Sequence, residues 1–97
     1  MIIVNIAKDK ITVSGHANYA PAGQDIVCAG ISTLTFTLIS SIEELTDDKI
    51  KYDISPGRVD IELRNVSADT ELLVGSFFCG VRQIAESYPD YVKLLNA

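Results

Sequence analysis

Ile2, Val4 and Ile6 alternate with Ile3, Asn5 and Ala7, and after the polar break Lys8-Asp9-Lys10 the same period returns in Ile11 and Val13 against Thr12 and Ser14. A period of two belongs to strands that turn one face to a core, so the opening predicts a β-hairpin. A second hairpin is written more clearly. Ile50, Tyr52 and Ile54 alternate with Lys49, Lys51 and Asp53, Val59, Ile61 and Leu63 alternate with Arg58, Asp60, Glu62 and Arg64, and Ser55-Pro56-Gly57 supplies the turn. One apolar face and one charged face predict an antiparallel sheet with water on one side.

Between the hairpins the period changes. Val27, Ile31, Leu34, Leu38, Ile42 and Leu45 step by three and four, the spacing of one stripe on an α-helix. Thr33-Leu34-Thr35-Phe36-Thr37-Leu38 also alternates like a strand and is rich in β-branched residues, but the longer window predicts helix. A second helix is predicted from about Asp69 to Tyr88 on the stripe Leu73, Phe77, Val81, Ile84 and Tyr88, with Asp69 and Glu71 suited to its N-terminal end and Pro89 marking its stop.

The order ββαββα, followed by a short C-terminal tail around Tyr91 to Leu95, predicts an α+β domain of two layers. Its mainly antiparallel sheet has four strands in two hairpins, and both helices lie on one face. Ninety-seven residues are the size of one domain, so residues 1–97 are read as a single unit. The irregular connection from Asn18 to Gln24, holding Pro21 and Gly23, has the character of a binding loop.

Charge sharpens this outline through its distribution. The net charge of −5 and a pI near 4.6 argue against a direct grip on nucleic acid. Up to Ile42 the charged residues are only Lys8, Asp9, Lys10 and Asp25, so all of the net charge lies from Glu43 onward. A long neutral stretch suits a buried segment, an interface, or a site in which stray charge would harm the chemistry. The unbroken apolar runs, such as Met1 to Val4, fall far below the roughly 18 residues of a membrane span. No secretory h-region opens the chain, and a cytoplasmic, reducing location without membrane association is expected.

The candidate chemistry lies in that neutral stretch. His16, the one histidine, closes the second strand in Gly15-His16-Ala17, and Cys28 follows in the first turn of the first helix. Free amides and the helix dipole there favour a thiolate, the same amides suit an oxyanion, and an imidazole held across the loop would complete a thiolate–imidazolium pair. The plainer readings stand beside this one. A cysteine in an apolar helix is more often a small buried hydrophobe, and a strand-end histidine often bonds only to backbone. Cys79 sits among Gly75, Ser76 and Gly80, where close helix packing explains it. Two cysteines and one histidine fall short of the four ligands of structural zinc, and redox chemistry lacks an obvious resolving cysteine, so neither metal nor cofactor is expected.

Gly15-His16-Ala17, the loop with Tyr19 and Gly23, and Asp25-Ile26-Val27-Cys28-Ala29 with Ser32 resemble the ribosomal-processing cysteine protease family, called Prp. The resemblance runs from the Met1-Ile2 strand to the Tyr88-Pro89-Asp90-Tyr91-Val92 ending. It departs in a shorter first hairpin turn and in Gly30, where alanine is common; neither touches the pair. The resemblance implies a His16/Cys28 dyad, a motif completed by Gly15, Asp25 and Ser32, and a cytosolic homodimer. Its substrate would be a large-subunit ribosomal protein carrying a short apolar, Phe-containing N-terminal extension, or a phage structural protein. On the residues alone, Asp25 is either a helix cap or an orienter of His16, and Ser32 lies one turn beyond Cys28 on the same face. Asn18, Tyr19 and Gly23 belong to the loop expected to close over substrate. Two other readings remain open: a cysteine hydrolase acting on another acyl bond, and a non-catalytic module that binds a ribosome or phage particle. Dimerisation has a local argument too, since Ala29, Thr33 and Phe36 leave the back of the first helix with little polar surface.

Overall fold

Alternation decides the first strand, β1 (Ile2–Ile6): in the computed structural model, which describes residues 1–21 and 23–96, Ile2, Val4 and Ile6 are buried under the helices while Ile3 is partly exposed on the opposite face. β2 (Lys10–Ser14) pairs with it antiparallel, and Ile11, opposite Ile6, is fully buried. The second hairpin is β3 (Lys51–Ser55) and β4 (Arg58–Glu62), and β4 joins the first hairpin through β2, Val59 facing Val13 and Ile61 facing Ile11.

The sheet has five strands, not the predicted four. The residues expected as a tail form β5 (Val92–Asn96), parallel to β1 with Val92 beside Ile2 and Leu94 beside Val4, and the order is β3-β4-β2-β1-β5. Only Val92 and Leu94 mark its inner face, too short an alternation to announce a strand; pairing with β1 creates it. β3 departs in the opposite sense. It is an edge strand whose every residue is exposed, including Tyr52 and Ile54, which share a face with buried Ile61 and Val59 but reach past the cover of the helices.

Helix α1 (Ile26–Leu45) settles the Thr33 to Leu38 ambiguity for helix. Thr35 is buried there because its hydroxyl donates to the Ile31 carbonyl at 2.7 Å, which satisfies the polar atom inside the stripe. Val27, Ile31, Leu38 and Ile42 are buried as expected, whereas Leu45, at the last turn, is 72% exposed. By length and composition α1 could cross a membrane, but its apolar stripe is accounted for by the sheet and the second helix packed against it. Helix α2 (Ala68–Ser87) starts at Ser67, whose hydroxyl accepts from the Thr70 amide, and closes at Tyr88 before Pro89. Asp48 holds this start in place by accepting from the Ser67 amide at 2.9 Å, the Ser67 hydroxyl at 2.7 Å and the Thr70 hydroxyl. The helices approach closely where Gly80 meets Leu34 and Gly30 meets Ile84. Cys79, by contrast, is exposed, because the packed side of α2 runs through Phe77, Gly80, Val81 and Ile84.

Candidate active site

β2 ends at Ser14, and the chain turns away through Gly15 at φ +91°, a region that favours glycine. Space also demands glycine there, since a Cβ would run into the Met1 carbonyl oxygen. The Gly15 amide donates to the Gly57 carbonyl at 2.9 Å, and the Met1 nitrogen donates to the His16 carbonyl at 2.6 Å. His16 is therefore clamped at the backbone on both sides while its imidazole is exposed.

Beyond it, buried Ala17 pins the loop to the core and Asn18 takes φ 56°, a left-handed turn that asparagine tolerates. Tyr19 points away from the cleft. Its ring packs edge-on against Tyr88 and Tyr91, with centroids 5.5 and 5.2 Å apart, so it anchors the loop to the end of α2. The loop expected over substrate is further tied by Asp25, whose Oδ2 accepts from the Tyr19 amide at 3.1 Å; Ala22, in the same loop, lies outside the described residues.

Asp25 is the N-cap of α1: its Oδ1 accepts from the Cys28 amide at 2.9 Å. That bond, with the smaller contribution from Tyr19 opposing a desolvation cost, holds the carboxyl below its ordinary range. It also engages the amide of Cys28 itself, which is therefore not a free oxyanion donor. Cys28 is half-buried in the first turn, with half-buried Ser32 one turn further along.

These elements meet around one open cleft of about 530 Å³. His16 and Cys28 both line it, together with Asn18, Gly23, Asp25 and Ser32. Gly15 stands behind His16, and Tyr19 is not among the lining residues. Ala17, Ala20, Ile26 and Ala29 add an apolar wall, and Gln24 a side-chain amide. Among the described residues Asp25 is the only acidic one lining the cleft, and it is occupied by backbone donors. Among the described residues no group of three or more His, Cys, Asp or Glu side chains gathers as a metal site.

The family profile described as Cysteine protease Prp matches residues 1–93. The chain belongs to the Prp family. Ribosomal processing cysteine protease Prp of Staphylococcus aureus is 31% identical over 103 residues, covering 97% of each chain, and that of Mycoplasma pneumoniae is 29% identical over 93 residues, covering 96% of this chain and 92% of the relative. The fold is shared with solved Prp structures: S. aureus Prp in complex with a covalently linked product peptide matches over 100% of both chains with a TM-score of 0.94 at 24% identity, and its complex with a substrate peptide gives 0.88. The chain is a cysteine protease. Of its two cysteines, Cys28 lines the cleft with His16, whereas Cys79 is exposed on α2 and does not line it.

One residue of this Prp site escapes sequence reasoning. Gly57 reads as an ordinary turn glycine, yet its carbonyl accepts from the amide before His16, and a Cβ there would meet the imidazole. A turn signal carries no information about which neighbour the turn will meet.

Proposed function

We propose that this protein is an endopeptidase with a His16/Cys28 dyad, which removes a short apolar, Phe-containing N-terminal extension from a large-subunit ribosomal protein. The observation that carries the reading is the shared cleft, lined both by His16 beyond the end of β2 and by Cys28 in the first turn of α1. His16 takes the Cys28 thiol proton, and the thiolate Sγ attacks the scissile carbonyl. The tetrahedral adduct collapses as the imidazolium returns that proton to the departing amine, leaving an acyl-enzyme. Water, deprotonated by His16, then releases the new carboxylate and restores the thiol. The apolar wall of Ala17, Ala20, Ile26 and Ala29 suits an apolar extension. The curated relatives favour a ribosomal over a phage substrate, since each bears the name Ribosomal processing cysteine protease. Such a precursor is cytoplasmic, and the enzyme with it. The uncovered apolar strip on α1 and β3 supports a homodimer.

The test is cleavage of a peptide carrying an apolar, Phe-containing extension by wild type, Cys28→Ala, His16→Ala and Cys79→Ala. Loss of at least ~10⁴-fold in kcat is expected for the first two variants, and wild-type cleavage for the third. Cleavage by Cys28→Ala at the wild-type rate ends the proposal.

A further inference from the structure

The tip of the β3–β4 hairpin does more than reverse the chain. The β2–β4 ladder sets Ser14 opposite Arg58, so the turn residue before Arg58 lies beside the end of β2. There Gly57 adopts φ +72°, and its carbonyl accepts from Gly15, the residue preceding His16. The imidazole of His16 lies over the Cβ position that Gly57 leaves empty. A Cβ added at Gly57 would stand 2.9 Å from Nε2, 3.4 Å from Cε1 and 3.7 Å from Cδ2, so the Nε2 edge of the ring fills the space that any side chain would take.

We propose that Gly57 is a positioning residue for the dyad histidine, its bare α-carbon forming the seat of the imidazole while its carbonyl fixes the peptide before it. This rests on the reading of His16 as the general base. The exposed imidazole has few other restraints: the backbone clamps at Gly15 and at the His16 carbonyl fix where the side chain leaves the chain, but not where its ring points. A base misplaced by about 1 Å costs on the order of 100-fold in rate. A seat on a rigid turn therefore has a direct kinetic consequence. The turn is also a place where substitution leaves the core alone, since Ser55, Pro56 and Arg58 around Gly57 are exposed.

Gly57→Asn separates space from backbone strain. Asparagine tolerates the left-handed region and already occupies it in this chain at Asn18 and Asn65, at φ 56° and 53°, but it brings a Cβ against Nε2. The expected result is a folded protein with KM near wild type, kcat lowered roughly 10- to 100-fold, and a displaced His16 limb in the pH profile of Cys28 alkylation. Gly57→Ala adds strain and is expected to lower the melting temperature as well. A Gly57→Asn enzyme with wild-type kcat and an unmoved pH limb overturns the proposal. In the wild-type protein, nuclear Overhauser contacts from the His16 ring protons to the Gly57 α-protons are expected, and their absence overturns it whatever the variants do. His16→Ala run in parallel keeps the two readings apart. If that variant cleaves normally, the dyad reading fails; if it is inactive while Gly57→Asn is normal, only the role of Gly57 fails.

Discussion

At the scale of single residues, Asp25 joins two things that the chemistry needs together. One oxygen caps the helix that carries Cys28 and the other holds the Tyr19 end of the loop, so the carboxylate acts on cleft geometry through backbone. Asparagine caps helices about as well as aspartate, whereas alanine does not. Asp25→Asn is therefore expected to keep the melting temperature and most of the peptidase activity, and Asp25→Ala to lower both. Calorimetry beside cleavage assays checks this, and an inactive Asp25→Asn of unchanged stability would mean that the charge itself takes part in the reaction. Gly15, His16, Asp25, Cys28 and Ser32 are visible in the sequence because they fall in one short stretch. Tyr19 and Gly57 were harder to read, since their roles depend on partners at Tyr88, Tyr91 and His16, and nothing local encodes those meetings.

At the scale of elements, the sequence is most informative where a pattern is long. Both helices and both hairpins follow from their periods, and even Thr35, a β-branched residue inside a helix, is decided by the window around it. β5 is a product of pairing, and the exposure of β3 a product of where the helices end, so neither is contained in a local period. The junctions between elements rest on carboxylates. Asp25 is held below the ordinary carboxylate pKa of 3.8 chiefly by the Cys28 amide, Asp48 by the Thr70 and Ser67 hydroxyls at the start of α2, and Asp60 by Arg58 across the open face of the sheet. Each binds its proton more weakly in the folded chain, so the unfolded chain takes up protons first as acid is added. Their stabilisation is present above pH 3.8 and is lost progressively below it. Thermal melts should therefore decline from about pH 4 toward pH 2, and Asp48→Asn should shrink that decline. A melting temperature that holds level or rises over this interval would contradict the assignment.

At the scale of the whole molecule, apolar surface is left uncovered on α1 and on β3. Phe36 and Leu45 on α1 are 44% and 72% exposed, and Tyr52 and Ile54 on β3 are 43% and 50% exposed on the side that faces the helices. The Tyr52 hydroxyl reaches Glu43 of α1 at 3.5 Å, so β3 lies beside the C-terminal part of that helix. Apolar surface gathered in this way marks an interaction site more often than chance exposure does, and the homodimer proposed above is its natural occupant. A shallow groove along α1 lined by Phe36, Thr33 and Leu45 shares Ser32 with the cleft, so a partner seated in this groove would stand at the edge of the cleft that His16 and Cys28 line. Two consequences can be measured together. Light scattering of the wild type should give twice the 10.5 kDa of the chain, and Phe36→Glu, which places a charge on an already exposed position, should return the mass to that of one chain without lowering the melting temperature of the isolated fold. The same variant should raise KM for the extended peptide more than it lowers kcat, because in the proposed dimer the His16/Cys28 pair lies within one chain while the rim of its cleft meets the partner. A wild type of single-chain mass, or a monomeric Phe36→Glu with unchanged KM, would respectively remove the dimer or the link between the dimer and the cleft.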